Sequence, residues 1–548
     1  MIRDASILSL ALPHFDNVTE PKISSLASCK PWLIALPLSN VQMAQSQITE
    51  QLMSLNRFDI DALERLKIIE HLRETVNFIQ GELAKKYQNK PIPFGVTEQV
   101  AWNKVRLLWQ AMGEAYQHCL QACLDGSGEV APHAALITQR CIRYTTLQML
   151  EQLRAYHQLE GGIWPTLHAF IRHARAQGLA DTPIKDSLNP RVETTTCSAA
   201  YAHALLLFLS NPYQLSARQL NLVDKWLDKW AERVPLLMAP PVLPDSVLLG
   251  ADLASSDAPH VLKGNEALAE PIYLDTEHLQ KGLRKRIKFL RKGGSPAELD
   301  IGEECTQPGC EVFLTGLYQH WCEGNSARAC PRRATVANAE VAFGTELIYF
   351  FINGGKPFEQ PAKQLSSSTK EAQDLLIFGY VRNPSETDFA AQPGYKSEDW
   401  RIEDESALGF GLIRAGSGSH ISYNQLLAIR PADSPSFLLA IIRWLIFTHE
   451  GGFRIGTRTL PGNPIPVSAR LFSINPADGN KYVAAFLLPE MPALKAPASL
   501  VLPLGWYHPG KTIEICPVDA APDQPQTVKL QTLLEKGSDF ERVAFVRA

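Results

Sequence analysis

Two short stretches hold the residue types best suited to grip a planar, charged small molecule. The first is Arg328-Ala-Cys-Pro-Arg332-Arg333, with Arg328 and Arg332 four positions apart, and the second is Asp404-Glu-Ser406-Ala-Leu-Gly409. A guanidinium is a flat fork of donors that pairs bidentately with adjacent acceptors such as N7 and O6 of guanine, pairs with phosphate oxygens, or stacks on a π face. Two arginines can divide stacking, edge pairing and phosphate pairing between them. The opposite edge of guanine carries N–H donors, which a carboxylate such as Asp404 accepts. Ser406 adds a hydroxyl, and Gly409 allows a close backbone approach or a positive φ. Each stretch alone has a plainer explanation, because arginines at a strand entrance are ordinarily solvated charge and Asp-x-Ser before Gly is common turn chemistry. The ordered set of both is what points to a ligand.

That set, Arg-x-x-x-Arg followed by Asp-x-Ser-x-x-Gly, resembles the PilZ domain, a bacterial receptor module for cyclic di-GMP. The resemblance implies a six-stranded β-barrel. It also implies roles: Arg328 and Arg332, with Arg333 as a substitute, stack on and pair with guanine and phosphate, Asp404 and Ser406 take the base edge, and Gly409 permits the close approach. Strands in the order such a barrel needs are expected at Phe410–Ile413, Gln425–Arg430, Leu438–Trp444 and, after the Gly451-Gly452 turn, Phe453–Arg458. One departure is the separation of Arg332 from Asp404, 404 − 332 = 72 positions. The surplus, Lys356–Trp400, is rich in Pro, Ser, Gln, Glu and Asp and reads as an inserted loop with one strand at Leu375–Tyr380. Such insertions are tolerated because closure entropy grows only with the logarithm of loop length.

The elements that must carry these stretches follow from periodicity. Residues 1–55 show little of it and read as an N-terminal arm. Leu66, Ile69, Leu72, Val76, Ile79 and Leu83 then recur every three or four positions behind a capping pair, Asp61 and Glu64. Val105, Leu108, Met112, Ala115 and Cys119 make a second such face, and further helices separated by Gly and Pro extend an all-α domain over 56–237, as a bundle or a stack of helical hairpins. Residues 238–310 read as a linker with a helix at Asp275–Lys292 that buries Leu279, Leu283, Ile287 and Leu290. The barrel with its inserted loop is expected over 311–475. A C-terminal β extension over 476–548, with strands at Tyr482–Leu488, Ser499–Leu504, Thr512–Ile515 and Val528–Leu534, is either a second small β unit or more of the same barrel. The fold class is therefore α+β and multidomain.

Composition narrows the function. A net charge of −4 over 548 residues gives no general attraction to nucleic acid or to anionic membranes. No apolar run reaches the roughly 18–20 residues that span a bilayer. Ten cysteines without a secretory signal read as reduced, mostly buried thiols, and the spacings of Cys305, Cys310, Cys322 and Cys330 are not the paired grammar of zinc sites. His168 and His173, five apart on one helix, point away from a shared metal. P-loop, HExxH and GxSxG motifs are absent, so a cytoplasmic binding protein rather than an enzyme is expected, with cyclic di-GMP as ligand and a protein partner on the helices. Two other readings stay open. One is a nucleotide-free interaction scaffold; the other is a zinc- or RNA-binding protein using the Cys305–Cys330 cluster and the basic face Lys281, Arg284, Lys285, Arg286, Lys288, Arg291 and Lys292.

Overall fold

The N-terminal half folds as helices, most of them with an apolar stripe at helical spacing: α1 (Leu26–Ile34), α2 (Val41–Leu55), α3 (Ala62–Ala84), α4 (Val96–Leu124), α5 (Ala134–Arg154), α6 (Ile163–Ala176), α7 (Cys197–Leu209) and α8 (Ala217–Trp230). The computed structural model describes residues 8–189, 192–242, 247–263, 266–299, 301–302, 304–306, 309–324, 331–361, 395–416, 418–471, 481–518 and 525–547. These form two units, Met1–Lys90 with Phe94–Arg328, and Pro91–Pro93 with Ala329–Ala548.

In the first unit, α1 and α2 lie where the sequence offers little periodicity. Their concealment has a physical cause. The buried face of α2 mixes Gln45, Thr49 and Gln51 with Ala44, Ile48, Leu52 and Leu55, and Gln45 is satisfied inside by bonds to Thr49 Oγ1 (3.0 Å) and the Lys104 carbonyl (2.7 Å). Capping sets the entry of several helices. Asp61 accepts the Glu64 N–H at the start of α3, and Ser216 forms a capping box with Gln219 at the start of α8.

A charged cluster sits within this apolar packing. Arg140 and Arg73 are 1% and 2% exposed, and each faces both Glu70 and Asp186. Arg140 reaches Glu70 and Asp186 at 3.0 Å each, and Arg73 reaches Asp186 at 2.8 Å and Glu70 at 3.4 Å. Tyr116 also donates to Glu70 at 2.6 Å. His168 is equally buried, bonded to the Tyr201 hydroxyl at 2.8 Å and the Asp257 carbonyl at 3.1 Å, so it serves as a core residue.

The stretch read as a linker is part of this core. Together with β1 (Leu236–Leu237), just before it, this stretch forms a four-stranded sheet in the order β1, β4 (Pro271–Leu274), β2 (Leu249–Asp252), β3 (His260–Val261); α9 (Glu277–Arg291) follows within it, and α10 (Gly309–Tyr318) begins at its end. Leu249, Ile272, Leu274, Leu279 and Leu283 pack into the same hydrophobic cluster as the helices. Much of the basic face of α9 is engaged locally. Arg284 donates to the Tyr318 hydroxyl, Arg286 lies 5.2 Å over the Trp230 ring, and Arg291 pairs with Glu311 at 2.8 Å. The expectation of reduced thiols needs one correction: Cys305 and Cys310, with Cα atoms 5.2 Å apart, are joined in a disulfide. Cys330 lies outside the described residues.

Among the described residues, the second unit is built mainly from β-strands. β5 (Arg333–Phe343), β6 (Glu398–Ser406), β7 (Gly409–Arg414), β8 (Leu426–Pro431), β9 (Leu438–Phe447) and β10 (Phe453–Thr459) close into an antiparallel barrel in the order β10-β7-β6-β5-β8-β9. All four strands expected after Gly409 are present. The apolar run after β5 turns helical as α11 (Thr345–Ile352), which packs Ile348 and Tyr349 on Ala428 and Leu439 of the barrel. Of the expected insertion, the strand at Leu375–Tyr380 lies outside the described residues.

A second closed barrel follows: β11 (Ile465–Leu471), β12 (Val483–Leu488), β13 (Ser499–Pro503), β14 (Thr512–Pro517), β15 (Gln526–Lys536) and β16 (Phe540–Arg547), in the order β11-β12-β13-β16-β15-β14. The choice left open by the sequence is thereby decided for a second β unit. It begins immediately after Pro461-Gly-Asn-Pro464, where two prolines and a glycine at φ +93° end the ladder of the first barrel. The fold is thus α+β with a helical part and two six-stranded barrels.

Candidate functional site

Strand pairing brings the two stretches together. Ala334 of β5 lies opposite Asp404 of β6, Arg333 lies opposite Glu405, and Asp404 in turn lies opposite Gly411 of β7. Both ladders carry an irregularity at this point, between Ala334 and Ala337 on β5 and between Ile402 and Asp404 on β6. A bulge resets side-chain alternation and re-aims the residues beside it. Ile402 points into the core at 1% exposure, and two positions later the Asp404 side chain is 35% exposed instead of following it inward.

There Asp404 Oδ1 accepts a hydrogen bond from Arg332 Nη1, 72 positions earlier in the chain. The pair leaves chemistry to spare. Among the described residues, the other Asp404 oxygen and the remaining Arg332 donors make no hydrogen bond, so the carboxylate keeps an acceptor for N–H groups and the fork keeps donors for an anion or a base edge. Arg333 is exposed and, among the described residues, makes no ion pair. Arg328 lies outside the described residues.

Ser406 and Gly409 take a different place. The Ser406 hydroxyl donates to the Gly409 carbonyl at 3.2 Å and accepts from Leu408 N–H at 3.4 Å, so it clasps the turn between β6 and β7. Gly409 has φ +158°, and a Cβ there would fall on the Thr457 carbonyl oxygen of β10. The close approach that this glycine allows is therefore strand to strand. The turn it closes has Ala407 and Leu408 at its tip, and both line a cleft of about 670 Å³ together with Arg458, Lys495 and Arg542. That volume lies within the range of small-molecule sites, roughly 300–1,000 Å³.

Sequence reasoning missed Gly411. A Cβ there would lie 2.5 Å from Asp404 Oδ1 and 3.3 Å from Arg332 Nη1, so the bare backbone of β7 makes room for the ion pair. The signal was present as Gly409-Phe-Gly411, two glycines on one face of a strand. The two positions give separate expectations. Gly409→Ala meets fixed backbone and should lower stability by about 1–3 kcal/mol, the cost of overpacking, read as a lower denaturation midpoint. Gly411→Ala meets only side-chain ends, so stability should hold while ligand affinity falls roughly tenfold, read by titration calorimetry.

Comparison with known proteins adds a second line. Residues 27–241 match a family model described as the N-terminal domain of the cyclic-di-GMP receptor FimW. Residues 467–548 match the FimW C-terminal β-barrel domain. The chain is similar along most of its length to the cyclic-di-GMP receptor FimW of Pseudomonas aeruginosa, 20% identical over 552 positions that cover 92% of this chain and 89% of the relative. The barrel that holds Arg332 and Asp404 lies between the two matched domains, so the family models do not themselves address the ion pair. Among the described residues, no helix is long and apolar enough to cross a membrane.

Proposed function

We propose that this chain is a cytoplasmic bacterial receptor for cyclic di-GMP, acting by binding rather than by catalysis, with a PilZ-like first barrel as its ligand domain. The observation that carries this reading is the similarity over 92% of the chain to a protein named as a cyclic-di-GMP receptor. Convergence of Arg332 and Asp404 on one rim of the barrel supports the choice of site. In this reading Arg328, Arg332 and Arg333 supply the cationic hook for phosphate and the guanine N7/O6 edge. Asp404 takes N1–H and N2–H, while Ser406 and Gly409 hold the hairpin that presents Asp404.

Charge explains why several arginines are needed. The strand under the hook is acidic, with Glu403, Asp404 and Glu405 in succession, and Arg454 is already paired with Glu403 at 3.0 Å. A dianionic ligand therefore needs more cation than Arg332 alone provides. Ligand contact would draw the Arg328–Arg333 segment onto the barrel. The chain passes from one unit to the other at Arg328–Ala329, so a ligand held by Arg332 would act next to that passage, and in this reading its occupancy is relayed to residues 56–237, the proposed partner-binding helical module.

Titration calorimetry of the full chain tests the reading. A saturable heat with cyclic di-GMP and none with GTP is expected, and a flat isotherm with cyclic di-GMP into the high micromolar range would sink it.

A further inference from the structure

The helical unit holds a groove of about 770 Å³ bordered by α4, α5 and α6, and part of its lining is the chain's own N-terminal segment, Leu8 to Ala11. This segment has neither helix nor strand structure. Its burial nevertheless alternates: Leu8, Leu10 and Leu12 are half-buried, while Ser9 and Ala11 are exposed. A two-residue period is what an extended chain shows when laid along a surface. Leu8 and Leu10 pack against the helical core.

The facing wall carries Asn103, Gln110 and Gln117 at seven-residue intervals along α4. Seven residues of helix rise about 10.5 Å, and three residues of extended chain advance about 10 Å, so a row of amides at this spacing is in step with every third peptide group of a strand lying beside it. In the present structure two of these amides bond along their own helix. Gln110 donates to Glu114 at 2.9 Å, and Asn103 accepts from Gln99 at 3.0 Å, both at exposed positions where exchange is cheap. Among the described residues, the backbone of 8–13 makes no hydrogen bond, so its leucines alone hold it in place. The segment is tethered just beyond, where Phe15 stacks on His118 at 4.9 Å and Asp16 pairs with Arg57.

We propose that this groove is the docking site for an extended peptide of a partner protein with apolar side chains at alternate positions, and that the Leu8–Leu12 segment is its built-in competitor. A partner peptide would insert its apolar side chains where Leu8 and Leu10 now sit and would take its backbone bonds from the amide row, which the resident segment leaves unused. Tethering gives the competitor a high local concentration, on the order of millimolar, so only a better-bonded segment displaces it.

The probe is a fluorescent peptide with the sequence of residues 6–14, followed by anisotropy against the full chain and against the full-length double variant Leu8→Asp/Leu10→Asp. The variant is expected to bind the peptide at least tenfold more tightly than the parent, and adding Ala169→Arg, which fills the groove wall, should remove that binding. Circular dichroism checks folding, and Leu8→Ser/Leu10→Ser is a milder opening should the aspartates disrupt the unit. No binding by either opened variant overturns the proposal, as does equal binding by parent and variant or indifference to Ala169→Arg. A concentration-dependent dimer of the parent that is lost in the double variant would assign the groove to the arm of a second copy and overturn it too.

Discussion

Arg332→Ala in the full chain is expected to weaken cyclic di-GMP binding by about 2–4 kcal/mol, roughly 30- to 800-fold, and Asp404→Ala by a similar amount. On the proposed reading each substitution removes charge-assisted bonds to the ligand, and it also deprives the other residue of its partner, since Arg332 and Asp404 pair directly. The double variant should therefore lose little more than either single one, because two groups that act through a shared contact are not additive. Stability behaves differently. The two side chains are 22% and 35% exposed, and exposed pairs contribute only about 0.2–1 kcal/mol, so both variants should melt close to the parent. A large affinity loss with an unchanged denaturation midpoint is the signature of a ligand contact. Calorimetric heats equal to those of the parent would remove these residues from the site.

The parts of the molecule legible in the sequence were those where one local pattern decides the outcome. The stripe from Leu66 to Leu83 on α3 and the strands from Gly409 to Thr459 were visible because apolar spacing alone sets their buried faces. α2 was hidden because Gln45 and Thr49 are buried through bonds that only the tertiary structure supplies. The geometry of the candidate site was half legible for a related reason. Residue types and order pointed to Arg332 and Asp404, but the bulges that turn Asp404 outward, and the clearance at Gly411, are properties of three paired strands. Gly409 carries a constraint that the sequence does not display: a Cβ there would fall on the Thr457 carbonyl, a neighbour that only the closed barrel supplies. The disulfide between Cys305 and Cys310 was likewise beyond a reading based on spacing and compartment.

The largest stability effect is expected in the helical unit, at Arg140→Met. Arg140 is 1% exposed and is shared by Glu70 and Asp186, with Arg73 as the second cation of a charge-balanced group of four. Removing one partner from a buried ionic group costs about 3–5 kcal/mol, because the charge left behind has been taken out of water without compensation. Methionine fills similar space, so cavity formation adds little.

The pH dependence gives an independent check. Burial pushes both carboxyls up, but Arg140 first and then Arg73 outweigh it and hold Glu70 and Asp186 below the usual carboxylate range. Groups with depressed folded-state values stabilise the protein above their unfolded values, near 4, and that contribution is lost as pH falls through the folded ones. With Arg140 gone the folded values rise, so acid unfolding should begin at higher pH. Urea denaturation followed by helical circular dichroism at pH 7.5 and at pH 4.5 measures both effects. Lys85→Ala, which breaks an exposed pair with Glu82, should shift the midpoint by less than about 0.5 kcal/mol. An Arg140→Met midpoint no lower than that of Lys85→Ala would mean that the four charges are solvated in solution and do not hold the helices together.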